Sequence, residues 1–240
     1  MDWAGWRLEA REVGRHMLRL LIEIALPKLC PICRQRLQAC ELALCSYCAR
    51  QLTPYRPSLH YAEERLWSSR IFGQHYSVYA YRLGSIEQKL VHALKYHHHY
   101  AVARLISERA RLTLPLDLQG YDLILAIPLS RERLIERGYN QALILARSLA
   151  EWLGCEASDK YIVRPKHSQS HTGLSGLNRR LDSSELFSVN PKLTTDWLQR
   201  RILVVDDVLT TGATMLCFLQ VLERLGARNV DVFTATTAVR

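Results

Sequence analysis

The sequence predicts an α/β protein: a mostly parallel sheet flanked by helices, with a small cysteine ribbon in front of it. Three observations carry this. Short apolar runs near 122–127, 160–164, 202–206 and 230–236 alternate with stretches of helical periodicity, the pattern of βαβ units. Arg201–Thr214, RILVVDDVLTTGAT, reads as a buried strand, a polar loop and the start of a helix. Two Cys-x-x-Cys pairs, Cys30/Cys33 and Cys45/Cys48, stand with eleven residues between them.

A chain of 240 residues has room for one α/β domain and a small appendage. Its 48% hydrophobic and 23% charged residues are ordinary for a globular protein. No run of about 18 apolar residues occurs, so no transmembrane segment is expected. The net charge of +9 suits anionic partners: phosphates, nucleic acid or an acidic membrane surface.

The expected organisation has three parts: 1–29, 30–60 and 61–240. From Trp6 to Leu26 the pattern is an amphipathic helix. Acids interrupt its apolar part and no small-residue cleavage site follows, which argues against a signal peptide. It reads as a helix packed on its own protein, in preference to one lying on a membrane.

Residues 30–60 are the ribbon. Each Cys-x-x-Cys pair can grip one ion from a tight turn. Four thiolates, Cys30, Cys33, Cys45 and Cys48, then give the tetrahedral sulfur set that structural Zn²⁺ favours. Cys40 has no second partner and is left out of the set. Five of the seven cysteines lie within Cys30–Cys48, and with no secretory signal the cluster reads as metal binding in a reducing cytoplasm. A redox role fits less well, since the two pairs occur together and neither follows a strand.

In residues 61–120, Tyr76–Tyr81 reads as a strand, and Ile86–Tyr96 and Val102–Leu114 as helices. His92 and His97–His99 read as a solvated basic helix end, and Lys89 and Lys95 as part of an anion-facing surface. Next, Asp122–Ile127 reads as a buried strand stopped by Pro128. Pro128, Leu129, Arg131 and Arg137 then lie in an arginine-rich loop where a strand ends, a place to hold pyrophosphate, because the forked guanidinium suits phosphate oxygens. Ala142–Leu153 continues as a helix, and Tyr161–Arg164 reads as another short strand. The polar stretch after it is long enough to be functional or disordered.

The last unit carries the chemistry. A loop between strand and helix leaves backbone N–H groups at a helix N-terminus, where phosphate binds well. Gly212 allows close approach, the threonine hydroxyls add donors, and acids at a strand end can accept from ribose hydroxyls. Val204–Thr214, VVDDVLTTGAT, resembles the signature by which type I phosphoribosyltransferases bind 5-phosphoribosyl 1-diphosphate (PRPP). That resemblance implies Asp206 and Asp207 on the ribose hydroxyls, Thr210, Thr211, Gly212, Ala213 and Thr214 around the 5′-phosphate, and Mg²⁺ accompanying PRPP. After its helix, ended by Gly226, Val230–Ala238 reads as the final strand.

With the cysteine ribbon, Ile127–Gln141 (IPLSRERLIERGYNQ), Gln169–Arg180 (QSHTGLSGLNRR) and this signature in order, the chain resembles the ComF family. The resemblance implies a type I phosphoribosyltransferase-like sheet preceded by a zinc ribbon, acting in natural transformation, DNA uptake or the use of DNA as a nutrient. It implies PRPP or a related phosphorylated ribose as ligand. Single-stranded DNA and a helicase-like competence protein are the expected macromolecular partners. The alternative is an active phosphoribosyltransferase of nucleotide metabolism, moving ribose 5-phosphate from PRPP to a base or amine. A DNA-binding regulator has no support, for want of a helix-turn-helix pattern.

Overall fold

Five parallel strands form the sheet of the computed structural model, which describes Met17 and residues 27–57, 62–96, 100–115, 120–165, 186–228 and 230–239. The expected N-terminal helix apart from Met17, which is helical, His97–His99 and the Gln169–Arg180 segment lie outside the described residues. In chain order come α1 (Ser46–Arg50), β1 (Phe72–Tyr81), α2 (Ile86–Tyr96), α3 (Tyr100–Thr113), β2 (Leu123–Ala126), α4 (Arg131–Arg137) and α5 (Gln141–Leu153). Then follow β3 (Glu156–Ser158), β4 (Ile162–Val163), β5 (Ser188–Val189), β6 (Ile202–Leu209), α6 (Ala213–Arg224) and β7 (Val230–Ala238).

The sheet order is β1-β7-β6-β2-β3. Helices α2, α3 and α5 share one apolar core with one face of the sheet, and α6 packs on the other. The central strands β6 and β7 are buried almost throughout; β6 starts as the apolar run Ile202–Val205, whereas β7 mixes apolar residues with the buried Asp231, Thr234, Thr236 and Thr237. From β2 the chain leaves towards β3. From β6 it leaves towards β7, in the opposite direction. The order therefore reverses between β2 and β6, and the crevice at their carboxyl ends is where an open parallel sheet binds ligands.

Two expectations need correction. Tyr161–Arg164 does not add a strand to the main sheet. Ile162 and Val163 pair antiparallel with Val189 and Ser188 in a separate two-stranded flap. Ile162 is apolar because it is buried with Phe187 and Trp197 against the α6 side, and the sheet's edge strand is Glu156–Ser158. The arginine-rich stretch after Pro128 is not all loop either. It forms α4, capped by Ser130 at its start and by Gly138 at its end, and none of its residues is buried.

The ribbon shares the α2–α3 core, contributing Cys30, Ala43, Leu44, Cys45, Cys48 and Leu52. Its exit runs along the edge of β1, where the Tyr55 N–H donates to Val78 O (3.0 Å) and the Ala80 N–H to Thr53 O (2.9 Å).

Candidate functional site

A cleft of ≈ 190 Å³ opens at the reversal between β2 and β6. It is built first from β6. Side chains alternate along a strand, so Asp207 shares the face of Leu203 and Val205, towards α2, while Asp206 shares the face of Ile202 and Val204, towards α6. Asp207 is buried, with only 5% of its side chain exposed, and Lys95 from the last turn of α2 meets its Oδ2 at 3.0 Å. Asp206 is half-buried, and its Oδ1 accepts from the Asp207 N–H (2.8 Å). Burial, and then the adjacent Asp207 charge, push the Asp206 carboxyl well above the usual aspartate range.

The turn that follows is shaped for an anion. Gly212 has φ +82°, a left-handed conformation that a side chain strains. It offers α6 no side-chain cap; the Ala213 N–H donates to Thr211 Oγ1 at 3.4 Å, and Thr210 to Met215, the turn and the first residues of α6, line the cleft. Behind the turn stands Arg65. Its guanidinium donates from Nη1 to Thr210 O and from Nη2 to Ala238 O (2.9 Å), tying the phosphate-type loop to the end of β7. A Cβ at Gly212 would lie 3.0 Å from Arg65 Cβ.

The opposite wall follows β2, and each residue of Gly138-Tyr139-Asn140-Gln141 has a task there. Gly138 closes α4 with φ +78°. The Tyr139 hydroxyl donates to Leu94 O (2.6 Å), fastening this wall to α2. Asn140 caps α5 through its Oδ1, while its Nδ2 donates to Ile127 O (3.1 Å) and Asp159 Oδ2 (3.0 Å), fixing where β2 ends. Gln141 is buried on the cleft with its Oε1 unpartnered.

Of the arginine-loop residues expected to face pyrophosphate, Pro128, Leu129 and Arg137 line the cleft. Arg131 does not line it; it is exposed at the start of α4, and Arg133 lines the cleft instead. Arg137 lies over the Tyr96 ring at 5.4 Å, with its Nε buried and unpartnered. Arg164, from beside the β4 flap, lies over Phe187 at 4.7 Å with its own Nε unpartnered. Burial, and then the charge of Arg133, pull the Arg164 guanidinium below its ordinary value, against the pull of Asp206. The sequence reading missed Arg164 and Gln141, and it set Lys95 on an outer surface. The cleft thus brings together two carboxylates, Lys95, three arginines and a glycine-threonine turn. That arrangement can grip a sugar diol between two phosphate groups.

The cysteine cluster is separate. The sulfurs of Cys30, Cys33, Cys45 and Cys48 all lie within 4.8 Å of one another, and Cys40 is exposed outside the group. Arg34, at φ +65°, turns the first knuckle, and Cys45 caps α1 to form the second. Burial pushes the Cys30 thiol up, but the N–H groups of Cys45, Cys33 and Ile32 outweigh it and bring the thiol to about 7. Four sulfurs on two such knuckles form the donor set of a closed site for a metal ion such as zinc.

A parallel sheet with paired acids and a phosphate-type turn at its switch point defines a phosphoribosyltransferase-like domain. A family model described as the phosphoribosyl transferase domain matches residues 139–238. Competence protein F of Haemophilus influenzae is 28% identical over 226 residues, spanning 85% of this chain and 94% of that protein. DNA utilization protein YhgH of Salmonella typhi is 30% identical over 233 residues, spanning 88% and 97%. Competence protein ComFC of Streptococcus pneumoniae is 33% identical over 108 residues, 45% of this chain and 44% of that protein. The chain belongs to the ComF family, and it joins a four-cysteine cluster to a phosphoribosyltransferase-like domain. Among the described residues, no helix is long and apolar enough to cross a membrane.

Proposed function

We propose that this protein binds PRPP or a related phosphorylated ribose in the β2/β6 cleft and serves DNA uptake, natural transformation or the use of DNA as a nutrient. One observation carries the ligand: the Asp206–Asp207 pair and the Thr210–Thr214 turn face Arg133, Arg137 and Arg164 across one small cleft. Asp206 and Asp207 accept from the ribose hydroxyls. Thr210, Thr211, Gly212, Ala213 and Thr214 surround the 5′-phosphate with N–H and hydroxyl donors. Pro128, Leu129, Arg133 and Arg137 face the diphosphate, with which Mg²⁺ travels. The pathway rests on the names of the relatives, competence protein F and DNA utilization protein YhgH.

Zinc on Cys30, Cys33, Cys45 and Cys48 holds together a ribbon, residues 30–60, too small to be stabilised by burial alone. Residues 1–29 precede it, and 61–240 form the ligand-binding domain. The protein works in the cytoplasm, with single-stranded DNA and a helicase-like competence protein as its macromolecular partners. A second reading, transfer of ribose 5-phosphate to a base or amine, is favoured by the intact acid pair. Stabilising diphosphate as it leaves is work for the three arginines.

Isothermal titration of PRPP tests the ligand. Saturable binding that ribose 5-phosphate and pyrophosphate compete away is expected. No heat at millimolar PRPP, with or without Mg²⁺, overturns the reading. Pyrophosphate release in the presence of a panel of bases decides between binding and transfer.

A further inference from the structure

Lys95 stands where an arriving divalent ion would have to go. Its ammonium is 3.0 Å from Asp207 Oδ2, deep enough that only 22% of the side chain is exposed, and it lines the cleft beside the Thr210–Thr214 turn. This position is built. The last turn of α2 is fastened by the Tyr139 hydroxyl on Leu94 O, one residue before Lys95. The next residue, Tyr96, carries the Arg137 guanidinium over its ring. A helix C-terminus also favours a cation.

We propose that Lys95 is the cleft's resident cation, a ligand-contacting residue that takes the place of a divalent ion at the acid pair, so that PRPP binds without metal. The inference rests on the PRPP reading above and deepens it. An ammonium is a compact, strongly hydrated point charge with three donors. Its contact with Asp207 is an ion pair in which Asp207 Oδ2 takes no directed hydrogen bond, so the ammonium donors remain available to the oxygens of the ribose and the diphosphate. Lys95, Arg133, Arg137 and Arg164 already outnumber the two carboxylates. A free Mg²⁺ would therefore enter a cleft of net positive charge and compete with Lys95 for the same carboxylate oxygen. Magnesium that arrives on PRPP is carried by the diphosphate and is not held by the protein.

The test is titration of the full chain with PRPP in buffer freed of divalent ions by a chelating resin and again in excess Mg²⁺, for wild type and Lys95→Met, with zinc content and thermal melting as controls of the fold; a soluble chelator is left out because it would strip the cysteine cluster. Wild type should bind without Mg²⁺ within about threefold of its affinity in Mg²⁺. Lys95→Met should lose about tenfold or more without Mg²⁺ and recover most of it in Mg²⁺, because the metal then occupies the vacated place on Asp207. Wild-type binding that requires Mg²⁺ overturns the proposal and leaves the PRPP site standing. An equal loss for Lys95→Met in both buffers, or no loss in either, overturns it too. Absence of PRPP binding in both buffers removes the reading of the cleft, and this proposal with it. The wild-type comparison stands even if the variant fails to fold.

Discussion

Arg65 and Thr210 lie 145 positions apart in the chain, yet the Arg65 guanidinium donates to the Thr210 carbonyl at the start of the phosphate-type turn. The second arm of the same fork holds Ala238 O at the end of β7, so one side chain fixes two neighbouring strand ends. Its charge, after burial, also helps push the imidazole of His75 down to about 3. His75 is therefore neutral, and its Nε2 meets the Thr234 hydroxyl at 3.0 Å.

Arg65→Ala should loosen the turn without touching ligand. Losing hydrogen bonds from a charged donor costs about 1.5–3 kcal/mol, so PRPP affinity is expected to fall about tenfold or more. Arg65→Lys should rescue little, because a point charge cannot bridge two carbonyls as the fork does. Titration with PRPP checks this, and full affinity in Arg65→Lys would refute the bridging role.

Gly212→Ala tests the turn itself. Its φ of +82° strains an alanine by about 1–2 kcal/mol, and the new Cβ would crowd Arg65 Cβ at 3.0 Å and Arg65 O at 3.3 Å. Both effects act in one direction. A lower melting temperature and weaker PRPP binding are expected together; unchanged melting would mean that the turn accommodates a side chain freely.

How much of this was legible in the sequence follows from how local each feature is. Asp206–Thr214 and the four cysteines declare themselves because their chemistry sits in short contiguous stretches. Lys95, Arg164, Gln141 and Arg65 reach the cleft or its backing from four separate parts of the chain. Nothing near Lys95 distinguishes it from the neighbouring Lys89 until α2 is docked by Tyr139. The short strand Glu156–Ser158 lacks a β-branched run, and α4 buries no residue, so neither leaves a periodic signal. Ile162 is apolar for a different reason from the one its strand-like neighbours suggest: as part of the β4–β5 flap it is buried with Phe187 and Trp197 on the α6 side.

The cysteine cluster gives a prediction with an internal control. Metal analysis should find about one zinc per chain. Cys40→Ser should keep it, since Cys40 lies outside the group, and Cys45→Ser should lose it and destabilise the core that Cys45 shares with α2 and α3. Equal retention in both variants would sink the assignment.

Asp206 should cost stability at neutral pH. Burial, then the Asp207 charge, raise its folded pKa above the ordinary 3.8. Between those two values the folded state binds more protons than the unfolded one. This contribution to stability therefore falls as pH rises from about 4 through the raised folded value. Asp206→Asn removes the penalty. Its melting temperature should exceed wild type at neutral pH, by about 2–4 °C for each kcal/mol recovered in a chain of this size, and the gap should shrink towards pH 4. Comparing the two proteins at each pH cancels the titration of the cysteines. A variant less stable than wild type at neutral pH would contradict the sign.

The same variant separates the cleft from the surface in the biological role. If the basic surface holds single-stranded DNA, lysines and arginines neutralise phosphates and release counterions, so affinity should fall steeply with added salt. Asp206 lies in the cleft and not on that surface, and Asp206→Asn should leave the DNA affinity and its salt dependence unchanged. If the pathway depends on the ribose phosphate ligand, that stable, DNA-binding variant should nevertheless fail to restore transformation, or growth on DNA, in a deletion strain. Transformation frequency and DNA binding across a salt series, measured in parallel, give the answer. Full complementation by Asp206→Asn would discard the cleft as the route by which this protein acts on DNA. A deletion strain that takes up and uses DNA as well as wild type would remove the pathway itself.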